Sequence, residues 1–232
     1  MLTKEVLSQK FINFAVNECR GSSEFYEYLS LEISNDNDLL ELCTHVNERQ
    51  PVPNLLFGAV HFLLLKGIQH NLKEYYPSLV SNPKPIAGLI KYFKDFCFHH
   101  MQNIITILRT KRVQTNEVRR CAYLYPVFSY IFKKTKKPLA LIELGTSAGL
   151  QLLWDKYSYS YDDNKVYGNI DIKMHITSKV IGDCTPFLLP TSPPVSNRIG
   201  IDLNIIDLNV VEEKLWLKAL IWPEHKGKTF DV

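Results

Sequence analysis

The stretch Pro138-Leu139-Ala140-Leu141-Ile142-Glu143-Leu144-Gly145-Thr146-Ser147-Ala148-Gly149-Leu150 decides the fold. Leu139 to Leu144 is a nearly unbroken apolar run of strand length, bounded by a proline before it and a glycine after it. Gly145 to Gly149 then interrupts the pattern, and Leu150 to Lys156 resumes one that fits a helix. A strand, a glycine loop and a helix in that order open an α/β unit built on a parallel sheet. Working forward, Arg198-Ile199-Gly200-Ile201-Asp202-Leu203 reads as a second strand parallel to the first, and Glu212 to Leu220 as the next helix. Residues 157–197 are rich in Tyr, Asp, Asn, Pro and Ser and read as an irregular or hairpin insertion between the two strands.

Working backward from Pro138, the chain reads as helices. Leu2, Val6, Leu7, Phe11, Phe14 and Ala15 recur at helical spacing, and Gly21-Ser22-Ser23 ends that helix and caps the next, Glu24 to Ile33. Asn35-Asp36 caps a third, which Pro51 and Pro53 close off. Asn54 to Ile68 is apolar nearly all round, as a helix at the centre of a bundle should be, so His61 within it is expected to be a hydrogen-bonded core histidine. Ile86 to Leu108 reads as one long helix. A further helix follows Thr115-Asn116, carries a stripe from Val118 to Phe132 and has Pro126 inside it. The expected organisation is a helical domain over 1–135 and an α/β domain over 136–232, so the fold class is α plus α/β.

Composition narrows the function classes. The chain has 232 residues, 46% hydrophobic and 22% charged, which is a globular composition and not a disordered one. Its longest apolar run, Leu55 to Leu65, contains His61 and falls short of the roughly 18 residues that a bilayer span needs. No membrane association is therefore expected. Glu5, Asn13, Asn17 and Glu18 interrupt any signal-peptide core. Five cysteines without a Cys-x-x-Cys pair suit a reduced, cytoplasmic protein whose thiols are core residues. His99-His100 beside Cys97 lacks a second ligand pair at zinc spacing, so no metal is expected. Charge is uneven: residues 101–140 hold 9 basic side chains and 1 acidic one. That belt suits nucleic acid or an anionic substrate, or alternatively the solvated C-terminal ends of helices.

The loop itself discriminates among nucleotide-binding motifs. Ser147 and Leu150 stand where a dinucleotide fingerprint requires glycine, and no Gly-Lys-Ser/Thr follows to make a P-loop. Glu143-x-Gly145-x-x-x-Gly149 instead resembles the first motif of class I S-adenosylmethionine-dependent methyltransferases. That resemblance implies a Rossmann-like, methyltransferase-like α/β unit, partial in this chain, with S-adenosylmethionine as a small-molecule cofactor. Gly145, Thr146, Ser147 and Gly149 would approach the cofactor, Glu143 would face its methionyl amino group, and Asp202 would accept its ribose hydroxyls. Asp171, nearer in sequence but on a weaker strand, ranks behind Asp202. Arg112, Gln114, Asn116 and Glu117 are candidates for a substrate cleft facing the loop, with Glu117 an acid or base; the alternative is an ordinary helix N-cap.

The chain as a whole resembles an uncharacterised bacterial family, domain-of-unknown-function family 2332. The likeness is carried by Gly21-Ser22-Ser23, Gln50-Pro51-x-Pro53-Asn54-Leu55-Leu56, Gln114-Thr115-Asn116-Glu117-Val118, the glycine-loop stretch, Asp202-Leu203-Asn204 and Trp222-Pro223-Glu224-His225. Sequences of that kind continue well past the Trp-Pro-Glu motif, so this chain is expected to be C-terminally truncated and inactive alone. Its two-stranded sheet would then leave an edge for a second copy or a completing partner. Three functions remain open at this point: a methyltransferase-like protein of unknown acceptor, a non-catalytic helical binding protein with a vestigial glycine loop, and a nucleic-acid or anion binder using the 101–140 belt.

Overall fold

A computed structural model describes residues 2–114, 116–162, 165–172, 174–182 and 186–225. In chain order the helices are α1 (Lys4–Phe14), α2 (Glu24–Ile33), α3 (Asn37–Cys43), α4 (Val52–Leu65), α5 (Leu89–His99), α6 (Met101–Thr110), α7 (Cys121–Thr135) and α8 (Val211–Ala219). The strands are β1 (Leu139–Leu144), β2 (Ser158–Tyr161), β3 (Tyr167–Gly168), β4 (His175–Ser178) and β5 (Val195–Ile201). The fold is mixed α/β. Among the described residues no helix is long and apolar enough to cross a membrane.

Contacts divide the chain into two compact units, one of residues 1–114 with 209–232 and the other of residues 115–208. The first is helical, and its middle is α4, buried from Val52 to Leu64 except at Asn54, as its apolar composition requires. Phe57 packs face to face on Tyr26 with centroids 4.3 Å apart and edge-on to Phe11 and Phe93. Gly58 makes a notch in α4: a Cβ there would lie 2.9 Å from Leu220 Cδ2 and 3.2 Å from Trp216 Cη2. This close approach seats α8 on α4. His61 fixes the same junction, with Nδ1 2.9 Å from the Ala219 carbonyl and Nε2 2.8 Å from Ser78 Oγ. It is the hydrogen-bonded core histidine expected from the sequence.

Three boundaries differ from the sequence reading. The helix expected over 86–108 is two helices, α5 and α6, separated at His100. Residues 209–225, read as the end of the α/β domain, belong to the helical unit, because Trp216 and Ala219 bury their side chains in its core. Conversely α7, read as the last helix of the bundle, belongs to the second unit, where the Tyr125 ring packs tilted on Tyr159 with centroids 4.4 Å apart and its hydroxyl donates to the Leu189 carbonyl at 2.8 Å. Helix period alone does not say which neighbour a helix will pack on.

The second unit holds two small sheets. β1 and β5 pair in parallel, with Glu143 opposite Gly200 and Leu144 opposite Ile201. Their adjacency matches the sequence reading, although β5 begins at Val195 and the segment after the loop, Leu150–Lys156, is a 3-10 helix. The 157–197 segment is more regular than an insertion of loops: β2 runs antiparallel to β3 and parallel to β4. Tyr157, Tyr159 and Tyr161 are buried, and the Tyr161 hydroxyl donates to the Ala122 carbonyl of α7 at 2.6 Å. Ile142, Leu144 and Leu203 are largely exposed.

Candidate functional site

The glycine loop is built by the ends of the two parallel strands. Beyond Leu144 the backbone N–H of Gly145 donates to the Ile201 carbonyl at 2.8 Å, which extends the β1–β5 pairing by one step before the chain turns away. Gly145 (φ 76°) and Gly149 (φ 71°) occupy the left-handed region, where a glycine has no Cβ to strain. Ser147 lies between them with φ 51°, a conformation costing an L-residue about 1–2 kcal/mol. Its neighbours hold it there. Asp202 Oδ2 accepts the Ser147 N–H at 2.7 Å, and the Ser147 carbonyl accepts the Ile206 N–H at 3.2 Å.

Thr146 organises the rest of the loop. Its hydroxyl donates to Glu143 Oε2 at 2.7 Å, and its carbonyl accepts from Gly149 N–H at 2.8 Å and from Asn116 Nδ2 at 2.7 Å. Its methyl and hydroxyl rest against Gly200, where a Cβ would lie 2.7 Å from Thr146 Cγ2 and 2.8 Å from Oγ1. Gly200 is therefore a spacing residue that lets Thr146 sit over β5. The sequence reading placed Gly200 in the strand without that role; a glycine two residues before the acidic strand end was the available signal.

The sequence candidates divide as follows. Glu143, Gly145, Thr146, Ser147, Gly149 and Asp202 lie together in one loop-and-strand-end constellation of the second unit. Asn116, buried, reaches that constellation through Thr146. Glu117 has the capping role: its carboxylate accepts the Arg119 N–H at 3.0 Å, and its carbonyl accepts from Gln151 Nε2 at 3.2 Å. Arg112 and Gln114 belong to the helical unit, where the Arg112 carbonyl accepts the Trp216 indole N–H at 2.8 Å. Asp171 is exposed in a turn between β3 and β4 and is not at a strand end. Thr115 and Cys184 lie outside the described residues.

β1, α7 and the 150–156 helix border a half-open pocket of about 410 Å³ lined by Leu124, Phe128, Leu141, Leu152, Trp154 and Glu143, among others. Glu143 is the one charged group among the residues lining it. A carboxylate in such apolar surroundings attracts a cation more strongly than one in water.

Gly145-x-Ser147-x-Gly149 also has the spacing of a nucleophile elbow, with a strained serine between a strand and a helix. Ser147 Oγ is buried and has no hydrogen-bond partner among the described residues, so no base stands beside it and acyl transfer is not supported. Among the described residues the cysteines, all buried, offer no nucleophile either: burial pushes the Cys19 and Cys121 thiols up to about 12.

The helical unit contains a cluster that the sequence reading missed, His70, Asp95 and His99, whose side-chain ligand atoms lie within 4.8 Å of one another. Asp95 and His99 are one turn apart on α5, the available signal, but His70 arrives from a distant loop. His70 Nδ1 accepts the Leu72 N–H at 3.1 Å, so Nε2 carries the proton and donates to Asp95 Oδ2 at 2.9 Å. A histidine metal ligand donates through its other nitrogen, the reverse of this arrangement. The hydrogen bonds account for the cluster without a metal.

Among families of known proteins, an uncharacterised one conserved in bacteria, DUF2332, matches residues 8–229. The chain belongs to the DUF2332 family. The match spans both units, so helical part and glycine loop are parts of one DUF2332 framework. Comparison with curated proteins and with solved structures gives no match.

Proposed function

We propose that the second unit of this DUF2332 chain is a partial Rossmann-like unit that binds S-adenosylmethionine, in a methyltransferase-like protein. One observation carries the reading. Glu143 and Asp202 end two adjacent parallel strands on either side of a loop with left-handed Gly145 and Gly149, the place where ligands bind open α/β sheets. The residues present fit the group. A Cβ built on Gly145 meets nothing within 4 Å, so there is room over the loop for a close-lying nucleoside. The pocket of about 410 Å³ beside Glu143 is lined by neither the Gly145–Gly149 loop nor Asp202, so it adjoins the nucleoside's place and is not that place itself.

In this reading Glu143 holds the cationic methionyl end. Asp202, which accepts the Ser147 and Asn204 N–H groups at the end of β5, is the acceptor for the ribose hydroxyls. The loop backbone from Gly145 to Gly149 forms the floor. Bound there, the cofactor would supply an electrophilic methyl group, with the acceptor's lone pair making the new bond to carbon, the carbon–sulfur pair leaving on sulfur and the acceptor's proton passing to solvent.

The test is calorimetric titration with S-adenosylmethionine and its demethylated product. Binding by the wild type that is lost in Gly149→Leu, which puts a branched side chain on a left-handed position, supports the reading. A wild type that binds neither compound overturns it and leaves the loop a structural turn.

A further inference from the structure

Helix α7 is the most unbalanced surface of the second unit. Arg119, Arg120, Lys133, Lys134, Lys136 and Lys137 are exposed on it or at its ends, and no Asp or Glu lies between Glu117 and Glu143. None of the six is ion-paired among the described residues. Along the same exposed arc stand Tyr123 (60% exposed), Val127, Tyr130 (50%) and Ile131. Burial of Cys121, Ala122, Tyr125 and Ser129 on the opposite side fixes which face is free. Lys134 Nζ lies 5.4 Å from the Tyr130 ring centroid, so cation and ring already present one surface.

The start of this helix is joined to the glycine loop within the same unit. Asn116 donates to the Thr146 carbonyl, Gln151 donates to the Glu117 carbonyl, and Cys121 Sγ lies 3.9 Å from the Gln151 carbonyl. Arg119 and Arg120 thus follow directly on residues that touch the loop. The two exposed tyrosines are seven residues apart, about 10.5 Å along the helix, which is about three stacked nucleotides at 3.4 Å each.

We propose that α7 is the track for a single-stranded nucleic acid. Cations that neutralise phosphates, interleaved with aromatic faces on which bases stack, are the elements of sequence-tolerant single-strand binding. An anionic membrane fits less well. Helices that lie in a membrane interface bury a broad apolar face, whereas the free arc of α7 has only Val127 and Ile131 as aliphatic members between tyrosines and lysines. Strand binding by α7 stands apart from the proposed cofactor site.

The experiment is fluorescence anisotropy of a labelled 15-nucleotide oligo-uridine, and of a duplex of the same length, with the full chain at two salt concentrations. The expected result is a preference for the single strand and affinity that falls with salt, log K dropping by about 0.7 per phosphate contacted for each decade of salt. Lys133→Glu with Lys134→Glu should weaken binding at least about tenfold and flatten the salt slope. Tyr123→Ala with Tyr130→Ala should weaken it with the slope retained, and both changes are on exposed positions that leave the core intact. Gly149→Leu should leave strand binding unchanged while removing cofactor binding, which separates failure of this proposal from failure of the cofactor site. No oligonucleotide binding at low salt, binding indifferent to both pairs of substitutions, or capture by phosphatidylserine vesicles in place of the strand would overturn it.

Discussion

Asp202 Oδ2 accepts the backbone N–H of Ser147 at 2.7 Å, and Asp202 Oδ1 accepts that of Asn204 at 3.0 Å. A single carboxylate at the end of β5 therefore holds both the strained residue of the glycine loop and the turn that follows its own strand. Hydrogen bonds to an ionised group are worth more than neutral ones, and Ser147 needs that support because its φ is unfavourable.

Asp202→Ala should destabilise the second unit by about 1–3 kcal/mol, the cost of leaving charge-assisted partners unpaired. Asp202→Asn, which keeps one carbonyl acceptor, should cost less. Urea unfolding followed by the near-ultraviolet signal of Trp154 and the surrounding tyrosines measures both. Equal stability of Asp202→Ala and wild type would show that the loop does not depend on this carboxylate.

Gly200→Ala should displace Thr146, because the new Cβ would lie within 3 Å of its Cγ2 and Oγ1. Overpacking of this kind costs about 1–3 kcal/mol. It should also break the Thr146 bond to Glu143. Thr146→Ala made in the Gly200→Ala background removes the two shortest contacts and leaves only that of the residue 146 Cβ at 3.0 Å, so the double variant should be more stable than the sum of the two losses predicts. Strict additivity would contradict the contact.

His61 should make the helical unit acid-labile. Burial holds its imidazole down at about 4 against a usual value of 6.5, opposed by its hydrogen bond to the Ala219 carbonyl. Between those two values the unfolded chain binds a proton that the folded chain does not, so stability falls as pH drops through this window. The whole effect is about 3 kcal/mol. Urea midpoints at pH 7 and pH 4.5 for wild type and His61→Gln test this: the variant should lose part of the acid sensitivity, and an identical pH dependence in both would refute the assignment.

Glu224 ties the end of the chain to the start of α2, accepting the Phe25 N–H at 3.1 Å and the Ser23 hydroxyl, while Ser23 Oγ accepts the Tyr26 N–H at 3.1 Å. Trp222 packs edge-on against Phe14 and Tyr26 beside this bond. Glu224→Ala should cost about 1–3 kcal/mol, and Ser23→Ala about 1 kcal/mol. Because the two share one bond, a double-mutant cycle should give a coupling of at least about 0.5 kcal/mol. A zero coupling would show that they act apart.

Strand β1, the glycine loop and the pairing partner β5 were legible in the sequence, because an apolar run of strand length and a glycine turn are local signals. So were most helices of the bundle and the buried state of His61, since an all-apolar helix can only be central. Glu143, Thr146, Ser147 and Asp202 were legible as a group for the same reason: they mark the ends of two readable strands. What they do to one another was not. That Thr146 takes Glu143 and Ser147 takes Asp202 depends on a loop path set by three left-handed residues and by the space above Gly200.

Only the tertiary structure decided the division of the chain. Helix period states that α7 and α8 have an apolar face but not which surface will cover it. Gly58 admits α8 to the helical unit, and the Tyr125 and Tyr159 rings hold α7 in the other. The Gly21-Ser22-Ser23 and Trp222-Pro223-Glu224-His225 motifs likewise show no relation along the chain. They meet because a carboxylate from one satisfies the N–H group that α2 leaves free at its first turn, a requirement that local sequence creates and distant sequence fills.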